Sequence, residues 1–177
     1  MGQKLMYAFR YDKKGQLKIS EREFLEKTEL WAKTSSQSTD DNDCWPLAVT
    51  IITGLSYEEV LAAFTEAGRK LGDGTSLFTA EKACAKLGWK INSHSRWYKN
   101  ELFDQIKNSY NAKGRSQKNL TLRHPQIHAY AWKDLPLMIL RTDGHVSAFK
   151  DGKVHDWANN ESRVITNIHI LERIEND

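Results

Sequence analysis

A chain of 177 residues with 40% hydrophobic and 28% charged residues has apolar content for a buried core and length for one ordinary domain, not two. Its net charge of +3 is too mild to demand a nucleic-acid surface. The longest strongly apolar runs, "PLAVTII" and "LPLMIL", fall far below the roughly 20 residues of a membrane-spanning helix, and "MGQKLMYAFRYDKKG" lacks the apolar centre and cleavage pattern of a signal peptide. Two cysteines, Cys44 and Cys84, sit in unrelated contexts, so a reduced, cytoplasmic chain without a disulfide or a membrane partner is expected.

In chain order, residues 5–19 read as two short strands around Gly15 or as a loose arm. Ser20 and Glu23 have capping-box spacing and open "SEREFLEKTELWAK", a helix with Phe24, Leu25, Leu30 and Trp31 on one broad face. The polar loop "TSSQSTDDND" then delivers Cys44 to a second helix, capped by Asp43 or Cys44, carrying Pro46 in its first turn and closed by Gly54. Ser56 and Glu59 form another capping box, for a helix through about Lys70 with Val60, Leu61 and Phe64 inward. Thr79 caps "TAEKACAKLG", closed by Gly88, and Cys84 lies there at core spacing with Ala80, Ala83 and Leu87.

"WKINS" (89–93) reads as a strand and "RWYKNELFDQIKNSYNAKG" as a further helix, while "RSQKNLTLRHPQIHAYAW" carries no readable period. The last third is strand-like in "LPLMILRT", "HVSAFK", "KVHDW" and "RVITNIHILERI", with Asp151-Gly152 as a two-residue hairpin turn. Helices first and an antiparallel sheet after them make an α+β domain. It divides into an arm and helix (1–36), a helical part with Cys44 (37–90), a variable middle (91–134) and a β-sheet (135–177).

Cys44 heads its helix, where unpaired N–H groups favour a thiolate. Asp40, Asp41 and Asp43 oppose it, so an imidazolium partner is needed. His94, His124 and His128 lie in polar or irregular stretches without a matched acid, and His169 alternates with Asn167 and Leu171. The hairpin singles out His145. With Lys150 opposite Lys153, Ser147 faces Asp156, and His145, Ser147 and Phe149 share a face with Val154 and Asp156. Asp156 is then diagonal to His145 at roughly 7–8 Å, while His155 points away. The same pair would also suit a surface ion pair. No close ligand spacing suggests a metal, Pro125 interrupts the His124/His128 spacing, and no cofactor is expected.

"NDCWPLAVTIITGLSYEEV", followed about a hundred residues later by "GHVSAFKDGKVHDW", resembles papain-like cysteine peptidases, above all small bacterial and bacteriophage-type members related to the C39-like peptidases. The likeness covers roughly residues 37–70 and 136–170. It implies a papain-like fold with Cys44 as nucleophile, His145 as general base and Asp156 orienting the imidazole. It further implies an oxyanion site from the Cys44 N–H and a side-chain amide, and a substrate lying beside Trp45 and Trp157. Where the family has a glutamine six residues before the cysteine this chain has Ser38, leaving Gln37 or Asn42 for that amide; where it has a glycine after the cysteine, this chain has Trp45.

The implied function is hydrolysis of a peptide or isopeptide bond in a protein or peptide substrate, in a phage product directed at a host protein. An amidase, deamidase or transferase would use the same triad. The rival from another class is a catalytically lapsed fold serving as a binding module for a protein or nucleic acid. Its surface would be the middle, where Arg96, Trp97, Tyr98, Lys99, Lys107, Tyr110, Lys113, Arg115 and Lys118 interleave charge with rings.

Overall fold

The computed structural model describes residues 30–38, 40, 42–97, 101, 104, 120–122, 136–156 and 163–175. The expected strands over 5–19, the start of the first helix and nearly all of the expected helix after Arg96 lie outside them. The domain is α+β: helices precede most of a five-stranded, wholly antiparallel sheet.

Helix α1 is seen over residues 30–35, two residues into the expected loop. Helix α2 (Cys44–Thr53) is apolar nearly all round, every residue from Trp45 to Ile52 is buried, and it therefore sits at the centre. Gly54, at φ 73°, closes it in the left-handed conformation that glycine adopts without strain.

Helix α3 (Tyr57–Glu66) starts as expected, the Ser56 hydroxyl accepting the Glu59 N–H. It ends short of Lys70 because Gly68 turns left-handed at φ 104° and the Arg69 N–H folds back to the Phe64 carbonyl. Helix α4 (Leu77–Lys86) begins three residues before the expected start. Ser76 is its cap, and Thr79 is the residue whose N–H the Ser76 hydroxyl accepts.

The strands are β1 (Trp89–Ser95), β2 (Met138–Thr142), β3 (His145–Lys150), β4 (Lys153–His155) and β5 (Asn167–Arg173), in the order β1-β5-β2-β3-β4. The β3–β4 hairpin has the expected register, with Lys150 opposite Lys153, Phe149 opposite Val154 and Ala148 opposite His155. Asp151 (φ 52°) and Gly152 (φ 74°) are both left-handed, as the tight turns matched to strand twist require.

Strand alternation divides the core. Ile139, Val146, Ala148 and Leu171 pack with the helices, and Met138, Leu140, Phe149, Val154 and Ile168 form a second cluster with Leu120, Leu122 and Ile165. Covering both faces explains why "HVSAFK" is buried over its first five residues.

The loop before α2 is held by charge. Asp40 and Arg69 form a pair at 2.6 Å with side chains 2% and 1% exposed. The Asp40 carboxylate also accepts the N–H groups of Asn42 (2.9 Å) and Gly72 (3.1 Å), and Arg69 donates to the Asn42 carbonyl at 3.1 Å. Burial alone would raise the Asp40 pKa, but these hydrogen bonds and the guanidinium hold it below its ordinary 3.8.

A depressed carboxyl gives stability that is present above its unfolded value and lost as pH falls through the folded one. Asp40→Asn, which strands a buried guanidinium, is expected to lower the unfolding free energy by about 3–5 kcal/mol at pH 7. Urea denaturation across pH measures it, with the gap from the parent narrowing as pH drops below 3.8.

Candidate active site

Cys44 is the first residue of α2 and His145 the first of β3, and α2 packs along β3, so two element starts meet. The two-residue turn Asp143-Gly144 puts His145 opposite Thr142 and sets where the imidazole begins the strand. Its Nε2 lies 2.7 Å from Asp156 Oδ1, both side chains under 5% exposed. The Cys44 side chain acts on the same imidazole. With Nε2 held by the carboxylate, Nδ1 is the ring nitrogen left for the sulfur. The Ser147 hydroxyl donates to the other Asp156 oxygen, Oδ2. Trp31 of α1 stands edge-on to the ring, centroids 5.9 Å apart and planes at 63°.

Electrostatics follow from this packing. Burial alone would pull the His145 pKa down. The hydrogen bond to the Asp156 carboxylate and the neighbouring Cys44 side chain outweigh it and raise the pKa from 6.5 to about 9. The ring is thus an imidazolium at neutral pH.

Two of the three acids that the sequence sets against a thiolate have partners of their own, and Asp41 lies outside the described residues. Asp40 is matched by Arg69, and Asp43 accepts the Tyr57 hydroxyl at 2.7 Å instead of capping α2 through its side chain. Burial is the main reason that the Tyr57 pKa rises to about 12, so the phenol keeps its proton for that bond.

His145 and Asp156 thus meet as the hairpin register indicates, and the packing of α2 along β3 adds Cys44. Other expected neighbours lie elsewhere. Trp45 sits in the core rather than at a substrate surface: it is 3% exposed, its ring 5.2 Å from that of His169, joining α2 to β5. Gln37 lies exposed in the turn after α1, its N–H on the Thr34 carbonyl. The Asn42 amide is engaged in the loop clamp, donating to the Gly72 carbonyl at 2.7 Å. Trp157 lies outside the described residues.

Of the rival basic surface, Arg96 and Trp97 are described, the guanidinium 4.1 Å from the centre of a ring that is 73% exposed. The other residues named for it lie outside the described residues.

Arg69 and Ser147 have parts that the sequence did not assign. Arg69 has no local signal, since it acts across 29 residues on Asp40. Ser147 had one: the register sets it against Asp156 and two residues from His145 on the same face. Among the described residues no cluster of three His, Cys, Asp or Glu side chains could hold a metal, and no helix is long and apolar enough to cross a membrane.

Comparison with protein-family models, curated proteins and solved structures finds no match to this chain. The class that the coordinates define is therefore geometric: an α+β domain with a helix-tip cysteine that acts on a buried histidine, itself hydrogen-bonded to a carboxylate.

A raised histidine pKa gives stability that is fully present below the unfolded value and lost as pH rises through the folded one. The His145 imidazole, followed by NMR, is expected to hold its proton through pH 7 and titrate near 9, and the fold to lose stability over 6.5 to about 9. Asp156→Asn is expected to lower that titration toward 6.5, since the hydrogen-bonded carboxylate contributes most to raising it.

Proposed function

We propose that this protein is a thiol hydrolase that cleaves a peptide or isopeptide bond through Cys44, His145 and Asp156. The observation that carries this reading is the buried pair of His145 and Asp156, 2.7 Å apart, with the Cys44 side chain at the start of α2 acting on the same imidazole. A structural ion pair has no need of a thiol at a helix start; a nucleophile does. Cys44 is half-exposed where Cys84 is buried.

The chemistry follows from these positions. The Cys44 thiolate attacks the substrate carbonyl carbon, and the charge that develops on oxygen meets the N–H groups of the first turn of α2, which have no acceptor within the helix. His145, already protonated, gives its proton to the departing amine, leaving a thioester on Cys44. Water then attacks the thioester while His145 takes its proton, which frees the acid product and restores the thiolate–imidazolium pair. Asp156 keeps Nε2 engaged and steadies the imidazolium through both steps. A deamidase or transferase would share the first half and differ in what resolves the thioester. The papain-like family resemblance favours a protein or peptide substrate, with a phage origin and a host target as its furthest extension.

Alkylation tests this directly. Iodoacetamide at pH 5 to 8, with adducts located by mass spectrometry, is expected to label Cys44 and spare Cys84, whose thiol is fully buried and pushed up to about 12 by burial and then by Glu81. His145→Ala is expected to slow labelling at the acid end. Peptide-bond cleavage should vanish in Cys44→Ala and fall by about 10²–10⁴-fold in His145→Ala. Equal labelling of both cysteines, or none, would remove the enzyme reading.

A further inference from the structure

Two side chains of β3 hold one carboxylate. Asp156 lies just past the end of β4, outside the strand ladder, so backbone pairing does not fix where its oxygens point. His145 takes Oδ1 and Ser147 takes Oδ2. Both come from β3, two positions apart, and therefore from one face of one strand. Ser147 is wholly buried, and its partner Asp156 is 5% exposed. Serine is a polar choice at a core position between Val146 and Ala148, where an apolar residue would pack without a hydroxyl to satisfy.

We propose that Ser147 is a positioning residue of the thiol-hydrolase site, which turns and holds the Asp156 carboxylate so that Oδ1 meets His145 Nε2 and keeps the imidazole charged. Its O–H donates to the ionised carboxylate, favouring that form and fixing its rotation. Without the hydroxyl, Oδ2 is buried with no donor from β3, and the carboxylate can turn or take up a proton, either of which weakens the charge facing the imidazole. Among the described residues the titratable groups that face His145 are Asp156 from beyond β4 and Cys44 from α2; α1 presents the neutral Trp31 and β2 the neutral Thr142. The effect of Ser147 on the ring is therefore transmitted through Asp156.

The consequence for catalysis rests on the thiol-hydrolase reading, and the test separates the two. His145 is titrated by NMR in the parent, Ser147→Ala, Ser147→Gly, Ser147→Thr and Asp156→Asn, and Cys44 alkylation by iodoacetamide is followed over the same pH range. The two deletions of the hydroxyl guard against either one failing to fold. Expected is a fall of at least about half a pH unit in the His145 titration of Ser147→Ala or Ser147→Gly, roughly threefold in its proton affinity. Labelling of Cys44 at acid pH should slow by a similar factor, with Ser147→Thr returning toward the parent. A serine that merely fills space would change the melting temperature and leave the titration in place. An unmoved titration in the deletions, beside a lowered one in Asp156→Asn, overturns the role of Ser147 and leaves the enzyme reading standing. A parent whose Cys44 is not selectively labelled sinks the enzyme reading itself, whatever Ser147 does to the ring.

Discussion

The bond between His145 and Asp156 is the constraint from which the rest of the site takes its shape. Two ionisable side chains, each almost without contact with water, lie 2.7 Å apart across a hairpin. Burying charge is costly unless it is paired and its remaining hydrogen-bonding capacity is met. Ser147 meets it on the carboxylate and Cys44 on the imidazole. Register carries the arrangement. Side chains alternate along a strand, so a one-residue slip of β4 against β3 would send Asp156 to the opposite face and bring His155 onto this one. The left-handed pair Asp151-Gly152 prevents the slip, because it closes the hairpin with two residues and leaves Lys150 no partner but Lys153.

That dependence on local rules is why the hairpin was legible in the sequence. Asp-Gly between two alternating segments fixes turn, register and face together, and the diagonal relation of His145 to Asp156 follows without knowledge of anything distant. The capping boxes are legible for the same reason: Ser56 and Glu59 are neighbours in the chain before they are neighbours in space. Misjudgements fall where two local signals compete. Ser76 and Thr79 both have cap chemistry, and the spacing could not say that the second supplies the N–H that the first accepts. The end of α3 depends on Gly68 and on where Arg69 must reach, and only the tertiary fold decides the second.

The meeting of the two halves was not legible. Cys44 and His145 are a hundred residues apart, and nothing in either segment states that α2 lies along β3. The strand order β1-β5-β2-β3-β4, with the last strand inserted beside the first, is likewise a long-range outcome. Arg69 belongs here too. The acids ahead of Cys44 read as an electrostatic burden on a thiolate, yet Asp40 is buried against a guanidinium that the sequence places 29 residues away. Trp45 shows the same failure in reverse: its place beside the cysteine suggested a substrate surface, and packing against His169 took it into the core.

The two thiols of this chain show how far environment outweighs residue type. Cys84 lies inside α4 among Ala80 and Ala83, fully buried, where desolvation and the nearby Glu81 push its pKa to about 12 and nothing stabilises an anion. Cys44 begins a helix, is half-exposed, and touches a histidine that a buried carboxylate keeps charged. The sulfur atom is the same in both. At Cys84 burial and Glu81 both favour the neutral thiol, whereas the residues that hold the His145 imidazole come from a hairpin with no contact to Cys84's helix among the principal packings of the described residues. What separates the two thiols is local: burial around Cys84, and near Cys44 a strand-borne histidine whose carboxylate partner is held from the same face of the sheet.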